Sequence, residues 1–250
     1  MARGYIKGRY VGTADRAKMI SQLPEPVIQE HEGIFVVRDD LLVGGSKVRA
    51  LPVLLRGADE YAYASPVYGY AQVALAHCAA RLGKKSIVFC ARRKTPHPRT
   101  MEAYQAGANV FQVSCGYMSV VKKRAQDYCR DTGAKLLPFG LDDPRFIVEL
   151  SLIVASALRG REVHEIWCAA GSGVLCRAIE MAFPAAIVNA VRVGSEPTVY
   201  RAKIWIAPER FEQDAQELPP FPSCTNYDAK VWRFIKRNAK QGAIFWNVAK

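Results

Sequence analysis

The sequence predicts an α/β protein whose parallel sheets are covered by helices on both faces. Apolar, β-branched runs alternate with longer stretches of helical periodicity from residue 34 to the end of the chain, the pattern of strand–helix–strand crossovers. Half of the 250 residues are hydrophobic, enough to bury a full core in one large domain or two small ones. No internal repeat or low-complexity tract suggests another architecture.

Taken in order, residues 1–23 are basic, poor in large apolar side chains and carry Gly4, Gly8 and Gly12, which reads as an extended arm. The run Ile34-Phe35-Val36-Val37 reads as a buried strand, and a helical segment over 47–55 follows Gly44-Gly45. Further strands are expected at 61–64, 86–91, 109–113, 135–138, 165–169, 187–193, 203–207 and 243–248. Helices are expected at 70–82, 98–106, 118–131, 144–158, 172–183 and 227–239. The stretch 208–224 is acidic, proline-rich and too short for a domain, so it is expected to cross the body as a loop.

Composition narrows the function classes. No window is apolar enough to span a bilayer: the longest candidate, 147–158, is short and interrupted by Glu149 and Ser151. Arg3, Lys7 and Arg9 have no apolar run behind them, which argues against a secretory signal. Seven scattered cysteines without a CxxC pair read as reduced thiols in a cytoplasmic protein and argue against structural zinc. Lysine and arginine number 35 against 23 acids, a net charge of +12, and such a surface attracts polyanions. That charge is open to two readings, a solvated surface or an anionic partner such as nucleic acid or an anionic cofactor and substrate.

Three segments carry chemistry. Lys47, in Arg38-Asp39-Asp40-Leu41-Leu42-Val43-Gly44-Gly45-Ser46-Lys47-Val48-Arg49, sits at a strand–loop–helix junction, and is either a surface lysine in a Gly-rich turn or an amine beside an apolar wall, which loses its proton more readily and becomes nucleophilic. The order Gly-Gly-Ser-Lys is not that of a nucleotide P-loop. In the second, a buried strand from Glu165 runs into Gly171-Ser172-Gly173 and a helix, a turn whose free amides can cradle a phosphate. The third, Asn226-Tyr227-Asp228-Ala229-Lys230, precedes a helix and a final strand, and there Asp228 is either a helix N-cap or a functional carboxylate.

Together these motifs resemble the fold-type II pyridoxal-phosphate enzymes, nearest to the aminocyclopropane-carboxylate deaminase and D-cysteine desulfhydrase branch, with tryptophan synthase β further off. The resemblance covers roughly residues 34–248. It implies two parallel-sheet, three-layer domains in a shortened chain: a smaller one at 58–158, set into a larger one formed by 24–57 and 159–250. It also implies pyridoxal 5'-phosphate between the domains and a homodimer. By the same resemblance Lys47, beside Ser46, forms the Schiff base, and Gly171, Ser172 and Gly173 hold the cofactor phosphate. Asp228 meets the pyridine nitrogen and Tyr227 faces the substrate. Val174 and Leu175 depart from the small and polar residues usual in that turn.

The segment Ser65-Pro66-Val67-Tyr68-Gly69-Tyr70-Ala71-Gln72 resembles the Ser-Asn turn that grips the substrate carboxylate in the family, but Gly69 and Tyr70 stand where the gripping residues belong and Ser65 lies too early. Tyr68 and Tyr70 either supply phenol hydroxyls or pack at the sheet edge. The expected activity is a lyase or deaminase acting at Cα of an amino-group substrate by elimination, decarboxylation or isomerisation. The altered turn and the charge suggest an amino-acyl group linked to a nucleotide or DNA base. The alternative is a descendant of the fold that has lost the cofactor and only binds nucleic acid or a partner.

Overall fold

The computed structural model describes residues 23–114 and 116–250, so all of the basic arm expected at 1–23 except Leu23 lies outside the described residues. Among the described residues ten strands form two sheets: β1 (Ile28–His31), β2 (Ile34–Arg38), β3 (Glu60–Ala64), β4 (Lys85–Ala91), β5 (Asn109–Val113), β6 (Lys135–Leu136), β7 (Glu165–Ala170), β8 (Ile187–Arg192), β9 (Lys203–Ile206) and β10 (Ile244–Asn247). The six-stranded sheet runs β1-β2-β10-β7-β8-β9 and the four-stranded sheet β5-β4-β3-β6. Every pairing is parallel except β1 with β2.

Among the described residues seven α-helices connect the strands: α1 (Lys47–Ala50), α2 (Ala71–Arg81), α3 (Pro98–Gln105), α4 (Met118–Thr132), α5 (Pro144–Ala157), α6 (Val174–Ala182) and α7 (Ala229–Asn238). Both sheets are covered on both faces. On the six-stranded sheet, Phe146, Ile147, Leu150 and Val154 of α5 and Ile179 of α6 pack beneath one face, while Val231, Trp232 and Ile235 of α7 close the other against Trp167, Val191 and Phe245. On the four-stranded sheet, Val121 and Ala125 of α4 meet Ile87 and Phe89, and Val73 and Ala76 of α2 meet Val88 and Ala103 from the opposite side. The apolar faces are spaced as helix and strand geometry require, which is why the periodicity located these elements.

Three features differ from the sequence expectation. Strand β1 is an addition. Two of its four residues are exposed, so it shows no apolar run, and it is held by a two-residue hairpin in which Glu32 (φ 52°) and Gly33 (φ 78°) both take positive φ. The helix expected over 47–55 is α-helical only to Ala50 and continues as a 3-10 turn over Leu51–Val53, because Pro52 has no N–H to extend the ladder. Helix α5, grouped by sequence with the smaller unit, packs on α6 and α1 beside the six-stranded sheet. Residues 208–224 do form a strap without helix or strand, tied down by Phe221 against Trp232 and by ion pairs of Glu209 with Arg233 and Glu217 with Arg237.

Among the described residues no helix is long and apolar enough to cross a membrane. Because the strands are parallel, their C-terminal ends gather on one side of each sheet, where α/β folds place ligands. Here those two sides face one cavity.

Candidate active site

The cavity has a volume of about 250 Å³ and is lined by residues that follow β2, β3, β6, β7, β8 and β10, together with the strap and the start of α7. Lys47 lies in its wall. The side chain is deep in the protein, yet it keeps accessible surface, which is that of the cavity itself. Its Nζ has no hydrogen-bond or ion-pair partner among the described residues. Loss of water pushes its pKa down, opposed by the nearby Asp228 carboxylate and Cys224 thiol. A larger neutral fraction makes the amine a better nucleophile.

A buried polar network fixes the loop that presents this lysine. Arg49 binds Asp39 at 2.7 Å and Arg38 binds Asp40 at 2.7 Å, all four side chains being almost wholly buried. Trp246 Nε1 donates to Ser46 Oγ at 2.9 Å and Asp39 Oδ2 at 3.2 Å, and Asn247 Nδ2 donates to Asp40 Oδ1 at 2.8 Å. The loop is thereby bolted to β10, some 200 residues away in sequence. Removing one member of a buried pair strands a charge and costs roughly 3–5 kcal/mol. Gly45 takes φ 67°, and a Cβ there would stand 2.5 Å from Val248 O, so only glycine allows the loop to approach this closely.

Asp228 is fully buried in the cavity wall. It occupies the N-cap position of α7 but makes no capping bond: its Oδ2 accepts from Ala249 N–H at 3.2 Å, and its Oδ1 has no partner. Burial pushes its carboxyl up to about 7, with Lys47 and the backbone amides of Val248 and Ala249 pulling the other way. Tyr227 Oη accepts from Gly171 N–H at 2.9 Å, which leaves its own proton free to donate. Burial keeps that phenol protonated.

The Gly171-Ser172-Gly173 turn closes β7 and opens α6. Gly173 takes φ 86°, and a Cβ there would meet Thr198 O at 2.0 Å, so the turn is pressed against residue 198 and held by Thr198 N–H to Ser172 O. Glu180 of α6 in turn accepts from the backbone N–H of Tyr200 at 3.0 Å. The backbone amides of Ser172, Gly173, Val174 and Leu175 donate to no protein acceptor among the described residues. This is the arrangement that receives a phosphate or carboxylate at a helix start.

The opposite wall comes from the four-stranded sheet. Tyr63 Oη accepts from Gly140 N–H at 3.2 Å, and burial raises the phenol to about 12. Gln72 Nε2 donates to the carbonyls of Val67 and Gly69 and so shapes the turn in which Gly69 and Tyr70 stand. Ser65 is fully buried and donates to Pro66 O at 2.9 Å. Tyr68 packs edge-on to His97 at 4.6 Å. Tyr70 lies under the Arg99 guanidinium at 4.4 Å, with its hydroxyl 3.5 Å from Glu102. Arg99 also reaches Glu102 at 3.2 Å and Cys224 Sγ at 3.4 Å.

Of the residues singled out by sequence, Lys47, Tyr68, Tyr70, Gly171, Ser172, Tyr227 and Asp228 line this one cavity. Gly173 shapes the turn from behind. Ser46 lies outside the lining, its hydroxyl engaged by Trp246. Sequence reasoning missed Tyr63, Phe139, Phe211 and Cys224, which also line it. Their one common signal was position: each follows or ends a predicted strand or borders a motif.

No protein-family model matches the chain, and no curated protein does. Solved structures do. A homologue of aminocyclopropane-carboxylate (ACC) deaminase superposes with a TM-score of 0.74 at 16% identity, covering 94% of each chain. O-ureido-L-serine synthase gives 0.70 at 12%, over 91% of this chain and 89% of the other. Threonine deaminase isoform 2 from Solanum lycopersicum gives 0.68 at 13%, over 100% and 95%. Diaminopropionate ammonia lyase from Escherichia coli, solved with an aminoacrylate–PLP reaction intermediate, gives 0.64 at 10%, over 94% and 88%. The chain therefore has the fold of the fold-type II pyridoxal-phosphate enzymes.

Proposed function

From that fold we propose that this protein is a pyridoxal-phosphate-dependent enzyme of the lyase and deaminase kind, cleaving a bond at Cα of an amino-group substrate. One observation carries the reading. A deeply placed amine without a partner and a buried carboxylate oxygen without a partner line one cavity with Ser172, where a row of unused helix-start amides begins. Those are the complements of an aldehyde, a pyridine nitrogen and a phosphate, so the residues present fit the cofactor. When bound, the cofactor supplies an electron sink for the pair released at the substrate Cα.

The protein's part follows from its own groups. Lys47 Nζ, kept poor in protons by burial, is the covalent anchor, and once released it stands in the cavity as the base that holds or returns a proton at Cα. Asp228 Oδ1 holds a proton on the ring nitrogen, since a buried carboxylate is stabilised by an adjacent positive N–H. Ser172 and Gly173 bind the phosphate through backbone amides, while the Gly171 amide stays with Tyr227 Oη. Tyr227 donates its hydroxyl toward the substrate from a position set by Gly171.

The substrate is an amino-acyl group borne on a nucleotide or nucleic acid. Its carboxylate grip is absent as such, with Ser65 turned to the backbone and Gly69 and Tyr70 in the gripping places, and the chain carries twelve excess positive charges. The test of the enzyme reading is spectroscopic. Protein incubated with pyridoxal phosphate is expected to gain a visible band, and borohydride is expected to fix the cofactor on the peptide containing Lys47. Lys47→Ala abolishes both. A protein that stays colourless and unlabelled refutes the reading and favours the cofactor-less alternative.

A further inference from the structure

Around the mouth of the cavity, positive charge and aromatic surface alternate on one lip. Arg92, Arg93 and Lys94 follow β4 in the loop leading to α3; all three are exposed, and none forms an ion pair among the described residues. The same loop ends at His97, whose ring packs against Tyr68 of the cavity lining, and the charge of Arg93 is felt at that imidazole. On the next helix, Lys122 Nζ stands 4.2 Å above the ring of Phe139, itself a lining residue and 41% exposed. Tyr117, at the start of the same helix, is also exposed.

The other lip differs. Phe211 lines the cavity there beside exposed Glu212, and Asp214 accepts from Thr225. The strap's remaining acids, Glu209 and Glu217, are already paired with Arg233 and Arg237 of α7. The basic residues that meet the strap are therefore neutralised, whereas Arg92, Arg93, Lys94 and Lys122 form no ion pair among the described residues.

From this we infer that the lip formed by Arg92, Arg93, Lys94 and Lys122 binds the phosphate backbone of a single-stranded nucleic acid, with exposed Phe139 as a stacking surface beside the cavity. Cations tracking a backbone, interleaved with exposed aromatic faces, are the physical means by which single strands are held. A single strand is favoured over a duplex, because a group attached to a paired base must first be unstacked, at a cost of a few kcal/mol, to meet Lys47 in the cavity wall. The inference rests on the enzyme reading for what the strand delivers, but not for whether it binds.

The experiment is fluorescence anisotropy of a labelled oligothymidylate against the full-length protein over a series of salt concentrations. Wild type is expected to bind with an affinity that falls as salt rises. Arg92→Ala/Arg93→Ala/Lys94→Ala should weaken binding at least tenfold and reduce the log–log salt slope by about 2, three contacts at ~0.7 each for single strands. Lys122→Ala should reduce the slope by about 0.7, and Phe139→Ala should weaken binding about tenfold with the slope unchanged.

Lys236→Ala/Lys240→Ala, at the end of α7 that leads into the N-terminal side of β10, should leave binding as it was. The inference is overturned by no binding, by salt-independent binding, by a triple variant equal to wild type, by equal losses in the α7 control, or by thymidine monophosphate competing as well as the oligomer. The visible band recorded on the same samples separates the two readings. A coloured protein that ignores the oligomer sinks only the lip, and a colourless one that binds it sinks only the enzyme.

Discussion

On the six-stranded side of the cavity, Lys47 Nζ, Asp228 Oδ1 and the amides of residues 172–175 have no protein partner among the described residues. On the four-stranded side, the phenol of Tyr63 is paired with Gly140, that of Tyr70 with Glu102, and the amide nitrogen of Gln72 with Val67 and Gly69. Buried polar groups are normally satisfied, so a set of unsatisfied ones in a single wall marks where a ligand completes the structure. The six-stranded side thus holds most of these unpartnered groups, whereas on the four-stranded side Gln72 Oε1 lacks a partner and the groups named above are paired. Departures from the resembled pattern fall on both walls, at Gly69 and Tyr70 on the second and at Val174 and Leu175 on the first.

The contrast between the walls is most severely tested at the network that supports the binding one. Asp39→Ala leaves Arg49 buried and unpaired and removes one of the two acceptors of Trp246. A loss of about 3–5 kcal/mol is expected in urea unfolding. An equal loss for Glu102→Ala, whose partners Arg99 and Tyr70 are part-exposed, would erase the distinction.

Asp228→Asn should lower turnover by about 100-fold or more with the fold and cofactor attachment retained, because a neutral amide no longer stabilises positive charge where it is needed. Tyr70→Phe on the facing wall should cost less than about tenfold and act mainly through KM. A reversal of those two magnitudes in steady-state assays would place the chemistry on the wrong side.

The same carboxylate gives a pH signature. Burial raises Asp228 to about 7 from 3.8, so between those values the folded protein holds a proton that the unfolded chain has released. Its contribution is complete below the unfolded pKa and is lost as pH rises through the folded one, so stability falls from about pH 4 to about pH 7. Urea midpoints of the cofactor-free protein should show this decline, and Asp228→Asn should flatten it. Parallel curves would mean that Asp228 is not desolvated.

The smallest effect separates a glycine that a turn needs from one that only caps a helix. Gly133 takes φ 77°, and a methyl group added there would meet nothing within 4 Å, so Gly133→Ala should cost only about 1 kcal/mol. Gly173→Ala meets Thr198 O and should cost clearly more than Gly133→Ala in the same urea unfolding measurement.

The residues that periodicity and motif order made legible were those whose neighbours in sequence share their role. Strands such as β7 and helices such as α5 announce themselves by apolar spacing, and Lys47, Gly171, Ser172, Tyr227 and Asp228 stand in short motifs. Strand β1 did not, since it is half-exposed and owes its existence to pairing with β2. Ser46 looked like part of the site because it precedes Lys47, but successive residues at a helix start point in different directions, and Ser46 turns to Trp246.

The sequence by itself determined the alternation that makes a parallel α/β fold and the chemical type of the groups at its motif positions, because both are local properties of spacing and residue type. Tertiary structure alone decided that Lys47 and Asp228 belong to one wall, that Cys224, Tyr63 and Phe139 line the same cavity, and that His97 of the β4–α3 loop packs on Tyr68. The reason is strand order: β10 inserts between β2 and β7, bringing the C-terminal ends of segments some 200 residues apart to one edge. No local pattern encodes that adjacency. It comes from burying both faces of two sheets at once.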